Sequence, residues 1–552
     1  MNDDIVQYHI KRVDTLKSDR GNFETQWEES AMRVIPEHSG SFIGSKTYNL
    51  HGGQGANRTQ HAYDATAVLA NSRFASVLES IATPQNAYWH SLRPADKTLL
   101  RHRHIQKYFQ DLADALFSAR YAPYTGFITN MQQVYMGLGA YGNGCIYVDA
   151  NPKGGLRYRN VHLGEAYFCS NHSGSVDTVY RVFNMSVKDI VDEFGAERVP
   201  AELIEITKNP TQQDTKMEII HAVYPRKNPD SRRVDAAGFP YASVYILRDK
   251  KHLLAEGGYS TFPYPIARYQ QAPGEVYGRG PAQLVSPSIK VINQEKKDLL
   301  TQSERAVRPV LLSYDDGNLG SFTLRPGRLN AGGLNKDGKR MVDVLPHGNV
   351  NIALEMMELE QKVINDAFLI TLFQILVETP RMTATEVLER AREKGMLIAP
   401  TTARLQADLF GPMIEREIDV LSKQGALPEP PMELMDRDGN VLSYAVEFTS
   451  PMARMRDAEK ASGFFRALQQ ALEVVNITQD PSILDHFDFD AAVPGIQFIQ
   501  GAPVEWTRAM EQVEEIRQGR EEKQSQQQAI DAMPAMAGLA KVAQGPKENQ
   551  IP

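Results

Sequence analysis

Glu378 to Leu421 reads ETPRMTATEVLERAREKGMLIAPTTARLQADLFGPMIEREIDVL, and its first residues punctuate the chain between two helices. Thr383 and Glu386 stand at the capping-box spacing, Thr-Ala-Thr-Glu, in which each side chain satisfies an orphan amide of a helix's first turn. The spacing predicts a helix that starts there. Upstream, Asn351 to Val377 carries Met357, Ile364, Phe368, Leu372 and Ile375 at helical intervals and predicts a long helix. The two meet at a short loop, Glu378-Thr379-Pro380-Arg381.

A second long helix is predicted from AQLVSPSIKVINQEKKDLLTQSERAVRP, which follows Gly274-Glu-Val-Tyr-Gly-Arg-Gly-Pro281 and places Val285, Ile289, Ile292 and Leu299 on one stripe. Between the two helices, Val310 to Val350 is broken by Asp-Asp-Gly-Asn, Arg-Pro-Gly and Lys-Asp-Gly and reads as a small β insertion. A helix of about 27 residues is ~40 Å long, more than a compact core needs, so its partner must run back alongside it. The pattern is an antiparallel rod with a β tip.

At 552 residues and 42% hydrophobic the chain can bury several cores. Its two cysteines, Cys145 and Cys169, cannot build a disulfide framework or a cysteine zinc site, which suits a reducing cytoplasm. The N-terminal MNDDIVQYHIKRVDTLKSDR has no apolar signal-peptide core, and the run Ala367 to Val377 is too short to span a bilayer, so the reading is a soluble protein. A formal charge of −8 argues against tight binding by neutralising many phosphates.

The first third reads as helical. Val6, Ile10 and Val13 form one stripe, Phe23, Trp27 and Ala31 another, and Val68 to Ile81 a third, interrupted by a polar loop from Ser39 to Gln60 that could act as a contact arm. From Gly144 to about Tyr269 come short β runs: CIYVDA, LRYRNV, AYFCSN, TVYRVF, MEIIHAVYP and SVYILRD. The fold class is α+β, mainly helical. A further helix is expected from Pro451 to about Val475, then a charged helix after Trp506 that frays into the tail.

Motifs that mimic chemistry fail on context. Gly137-Leu-Gly139-Ala-Tyr-Gly142 has dinucleotide spacing, but a helix precedes it and a strand follows, the reverse of what pyrophosphate binding needs. Gly333-Leu-Asn-Lys-Asp-Gly338-Lys339-Arg340 lacks the Ser or Thr that would hold magnesium in a phosphate loop and reads as a hairpin turn. Asp436, Asp438, Asn440 and Glu447 mimic calcium-loop positions, yet Val441 stands where Gly is required. Arg101-His-Arg-His104 reads as a solvated face. No catalytic residue, metal site or cofactor is expected.

The EVYGRGPA block, the paired long helices, RMTATEVLER, and the N-terminal AVLANSRFASVLESIATP with WHSLRP together resemble the portal, or head-to-tail connector, family of short-tailed bacteriophages. The resemblance implies a ring, dodecameric as in that family. Its wing would be 1–280, its stem helices 281–308 and 351–377, its clip 309–350, its tunnel loop and return 378–450, and its crown and tail 451–552. It implies tunnel-loop residues Glu378, Thr379, Pro380 and Arg381. Candidates for lining the stem channel are Lys290, Lys297, Arg305 and Arg308 on the first helix, with Glu355, Glu358 and Lys362 on the second. Asp315, Asp316, Gly317 and Asn318 would meet the tail adaptor. Implied partners are further copies of the chain, double-stranded DNA passing without sequence specificity, the terminase large subunit, a tail adaptor, and the major capsid and scaffolding proteins. The location would be the virion after assembly in host cytoplasm. A packaging ATPase or nuclease is the competing class, and it lacks an active-site motif. A tail adaptor ring is usually much shorter.

Overall fold

The computed structural model describes residues 2–523 apart from 43–54, 314–324, 346–349, 372–399, 436–443, 497–507 and some shorter stretches and single positions. In chain order come α1 (Asn2–Asp19), α2 (Gly21–Val34), α3 (Thr66–Ala82), β1 (His90–Pro94), α4 (Arg103–Arg120) and α5 (Phe127–Tyr141). There follow β2 (Asn143–Ala150), β3 (Leu156–Asn160), β4 (Ala166–Ser170), β5 (Val176–Ser186), α6 (Val187–Phe194), α7 (Ala201–Thr207), β6 (Lys216–Pro225), β7 (Tyr241–Leu247), β8 (His252–Tyr259) and β9 (Ile266–Arg268). The third part holds α8 (Pro281–Leu284), α9 (Ser286–Val307), β10 (Leu311–Ser313), β11 (Val342–Val344), α10 (Val350–Ala367), α11 (Gly411–Lys423), β12 (Tyr444–Phe448) and α12 (Pro451–Thr478).

The chain divides into two compact units, Met1–His90 with Ala113–Pro428, and Ser91–Leu112 with Glu429–Pro552. In the second, β1 pairs with β12 and Arg93 bonds Glu447 at 2.9 Å. Residues 91–112, read in sequence with the wing, thus group with the C-terminal part.

In the first unit the six expected β runs all form strands, joined by β8 and β9, which the sequence reading passed over. A five-stranded antiparallel sheet runs β4-β5-β6-β7-β8, and β2 pairs with β3 and β9 beside it. Successive side chains on a strand alternate faces, and both faces of this sheet are covered. Ile220 and Ile246 point to one side with Val182, where α1 lays Val6 and Val13 on them. Ile219 and Leu247 point to the other, under Val187 and Ile190 of α6 and Leu203 of α7. The predicted Val6–Val13 stripe is the covering face of α1. At the α1–α2 junction the buried Arg20 donates to the carbonyls of Leu163, Gly164 and Ala166 at 3.1, 3.1 and 2.7 Å. These bonds fasten the helical start of the chain to the sheet.

Two helix boundaries differ from the sequence reading. The stretch 281–308 is α8 and α9 rather than one rod, because Pro287 cannot donate to the preceding turn and the helix restarts after Val285. The helix expected to reach Val377 is interrupted after Ala367; helical backbone resumes at Ile370 and Thr371, and 372–377 lie outside the described residues. Phe368 packs edge-on to Phe74 of α3, with ring centroids 6.0 Å apart, and Leu369 takes the left-handed conformation at φ +61. That local geometry breaks the helix at a point where the apolar periodicity alone runs on without interruption. The β insertion is present as β10 paired antiparallel with β11, and an isolated bridge joins Leu334 to Arg340, consistent with the hairpin reading of 333–340. The Gly137–Gly142 motif is the end of α5 and the turn into β2.

Candidate functional site

The long helices α9 and α10 pack against each other, and their base is set into the body by backbone contact. Gly142, at φ +73, ends α5; a β-carbon there would stand 2.3 Å from the Arg279 carbonyl carbon and 2.4 Å from the Gly280 nitrogen. A β-carbon at Gly280 would in turn lie 2.6 Å from the Gly142 nitrogen. Two chain segments thus touch main chain to main chain, which only glycine permits. The Asn143 side chain locks the contact, donating to the Gly278 carbonyl at 2.9 Å and accepting from its amide at 2.7 Å. This explains the Tyr-Gly-Arg-Gly block: it seats the first long helix on the α5–β2 turn.

Above this seat, Asn293 of α9 accepts from the amides of Tyr63 and Asp64 at 2.7 and 3.2 Å. Lys290 reaches Glu29 of α2 at 2.6 Å, and the Lys297 ammonium lies 5.7 Å from the Tyr63 ring centre. Those two candidate lining residues therefore have partners inside the protomer. Glu295 of α9 and Glu360 of α10 sit in the seam between the helices, each with one carboxylate oxygen shut from solvent and without a hydrogen-bond partner among the described residues. Burial, then the neighbouring Glu360, pushes the Glu295 carboxyl above its ordinary range.

Farther out the pair stands clear of the body. From Leu300 to Arg308 every residue of α9 and its cap except Gln302 is exposed, including Arg305 and Arg308. On α10, at about 100° per residue, three stripes separate. Met357, Ile364 and Phe368 form a buried stripe. About 120° away lies a second apolar stripe, Met356, Leu359 and Val363, exposed by 47, 66 and 45%. Glu355, Glu358 and Lys362 form a third, charged and exposed, about 130° from the buried one on its other side. The candidate charges thus share one face that is distinct from the exposed apolar face.

The chain is described again from residue 400. There a π-helical turn, Gln406–Phe410, precedes α11, and Asp408 in it accepts from Arg268 at 2.9 Å. Next, α11 carries two charged residues into the core. Glu417, fully buried, takes two bonds from the equally buried Arg120, through Nε at 3.1 Å and through Nη2, and a third from the Tyr158 hydroxyl at 2.6 Å. The Arg120 guanidinium also lies 4.5 Å from the Trp89 ring centre. Arg416 bonds Asp149 at 3.0 Å and Asp419 at 2.9 Å. Sequence reasoning passed over this network, although it left a signal: Glu417 falls within the apolar stripe Met413, Ile414, Val420, Leu421. A carboxylate at a core position needs a cation.

The nearest approach to catalytic geometry is His221, whose Nε2 is 3.0 Å from Ser243 Oγ and whose Nδ1 is 2.6 Å from Tyr264 Oη. All three side chains are buried, and burial, aided by Arg181, holds the imidazole down at about 3. The ring stacks on Tyr245 at 3.9 Å, so the trio is packed into the core against the sheet. Among the described residues no cluster of three or more His, Cys, Asp or Glu could hold a metal ion, and no helix is long and apolar enough to cross a membrane. His104 pairs with Glu433 at 3.3 Å on an exposed face. Glu378–Arg381, Thr383, Glu386, Asp315–Asn318, Arg101, Asp436, Asp438 and Asn440 lie outside the described residues.

Against known proteins, the chain is 25% identical to the portal protein of Salmonella phage epsilon15 over 516 residues, 92% of this chain and 89% of that one. It is 24% identical to the probable portal protein of Bordetella phage BPP-1 over 498 residues, 87% and 85% of the two chains. Two solved structures are similar at 12% identity and a TM-score of 0.33. One, from the virion of a native gene transfer agent particle, matches over 73% of this chain and 89% of its own; the other, from the neck of that particle computed with C12 symmetry, over 72% and 88%. Residues 7–506 match the family described as bacteriophage head to tail connecting protein. With nearly its whole length matched, this chain belongs to the bacteriophage head-to-tail connecting, or portal, protein family.

Proposed function

We propose that copies of this chain assemble side by side into a ring, with α9 and α10 forming the wall of an axial channel through which double-stranded DNA passes during genome packaging and ejection. The observation that carries the reading is the second apolar stripe of α10. Met356, Leu359 and Val363 form a contiguous apolar face that the described residues of its own chain leave uncovered, and a neighbouring copy would bury it. Twelve copies are expected from the family resemblance. The clear separation of charged and apolar stripes supports a division of labour between channel and neighbour. Of the candidate lining residues, Arg305, Arg308, Glu355, Glu358 and Lys362 keep exposed side chains suited to the channel, whereas Lys290 and Lys297 are committed to Glu29 and Tyr63. Mixed signs suit passage, since each neutralised phosphate adds affinity and would resist sliding.

In this reading Glu378–Arg381 form the tunnel loop, Asp315–Asn318 meet the tail adaptor, and the terminase large subunit and the major capsid and scaffolding proteins dock elsewhere on the ring. The ring would sit at one capsid vertex of the virion after assembly in host cytoplasm, and its role is structural rather than enzymatic. Electron microscopy of the purified protein tests it directly. Class averages down the symmetry axis should show closed rings with a central hole, and monomers or particles without an axial opening would refute the proposal.

A further inference from the structure

Away from the long helices, the first unit carries an open cleft of about 780 Å³ between α1 and the ends of β4, β5 and β6. Its floor is aromatic. Tyr180 and Tyr224 flank His9, with ring centroids 5.7 and 5.0 Å from the imidazole, and His9 Nδ1 is 3.2 Å from Tyr180 Oη. Burial holds that imidazole down at about 4, so the floor is uncharged at neutral pH. Tyr8, 62% exposed, stands on the α1 wall. The rim is cationic: among the described residues Arg12 has only the Cys169 sulfur, 3.8 Å from Nη2, as partner, and Lys227 pairs with no carboxylate. Arg226 is already bonded to Glu256 at 3.0 Å, and Asp4 is the one acid on the rim.

We infer that this cleft is a docking groove for an acidic peptide segment of a partner protein, with an aromatic or aliphatic side chain seated on Tyr8 and Tyr224 and flanking carboxylates on Arg12 and Lys227. Charge complementarity selects the occupant, since two rim cations lack anions among the described residues while the floor is neutral and aromatic. A volume of this size takes a few side chains, with an exposed aromatic as anchor. A nucleic-acid strand fits less well, because the cleft is short and the chain as a whole carries net charge −8. The inference is independent of the long helices and of the ring.

Cys169 at the cleft supplies a reporter, because the other cysteine, Cys145, is fully buried and its thiol is pushed up by burial. The assay titrates the full chain with a fluorescein-labelled EEFEE peptide and, in parallel, follows alkylation of Cys169. The peptide should bind and slow alkylation; Arg12→Glu and Lys227→Glu should each weaken binding at least about tenfold, and Tyr8→Ser at least about fivefold. The peptides KKFKK and EEGEE should bind far more weakly. All three substituted side chains are exposed, so folding is retained, and ring formation measured on the same preparations should not change. No peptide binding at about 1 mM, a level that charge-steered recognition should saturate, or binding indifferent to the rim reversals, would overturn the inference. So would an oligonucleotide that protects Cys169 where the acidic peptide does not.

Discussion

The apolar stripe on α10 gives the most decisive test, the double substitution Leu359→Ser with Val363→Ser. In one protomer these side chains are 66 and 45% exposed, so a neighbour has about half of each left to cover. Full burial of a leucine or valine is worth about 1.5–3 kcal/mol, which makes the uncovered portions worth about 2–3 kcal/mol for the pair. At 1.4 kcal/mol per tenfold, each subunit contact should weaken about 30- to 150-fold. The loss compounds in a closed ring, where every protomer makes two such contacts. Mass photometry over a dilution series reads this as a shift of ring dissociation to higher protomer concentration, with electron microscopy to confirm what remains. Lys362→Ser, on the charged stripe of the same helix, should assemble like the unaltered chain. If the double variant closes rings over the same concentration range as the unaltered chain, the stripe does not face a neighbour and the proposed orientation of α10 is wrong.

Replacing Glu417 by Gln strands the buried Arg120 charge, and breaking such a pair costs about 3–5 kcal/mol. Thermal unfolding should show a large drop for the single variant and partial recovery for Arg120→Met with Glu417→Leu, which removes both charges together. Gly142→Ala forces a β-carbon into the Arg279–Gly280 backbone at a left-handed position, so the stem seat must open; the variant should lose several degrees of melting temperature or fail to fold, as measured by scanning fluorimetry. Acid should destabilise the first unit early. Burial holds His9 and His38 down at about 4 and His221 at about 3, so the unfolded chain binds protons first, and stability present above about pH 6.5 is lost as pH falls below it. Melting temperatures that stay constant from pH 7.5 to 5 would contradict this.

Periodicity and punctuation in the sequence determined which segments are helices and strands, because apolar spacing is a local property that burial on one face enforces. The stripe of Val6 and Val13, the six β runs, the paired long helices and the hairpin insertion were legible for this reason. The glycines of Tyr-Gly-Arg-Gly were legible as a motif, but their cause was not: only the fold brings Gly280 against Gly142, across a long sequence separation. The break after Ala367 was likewise hidden, since Phe368 meets Phe74 only in three dimensions.

The candidate site divides in the same way. The residue types on the long helices could be read as charged stripes, but whether a given lysine faces outward depends on what stands opposite. Tertiary structure alone gives Glu29 to Lys290 and Tyr63 to Lys297 while leaving Arg305 and Lys362 exposed. It also turns Glu417 from one more acid on an amphipathic helix into the anchor of Arg120. Sequence sets what each side chain can do; the energy of a charge is set by its surroundings, which exist only once distant segments have met.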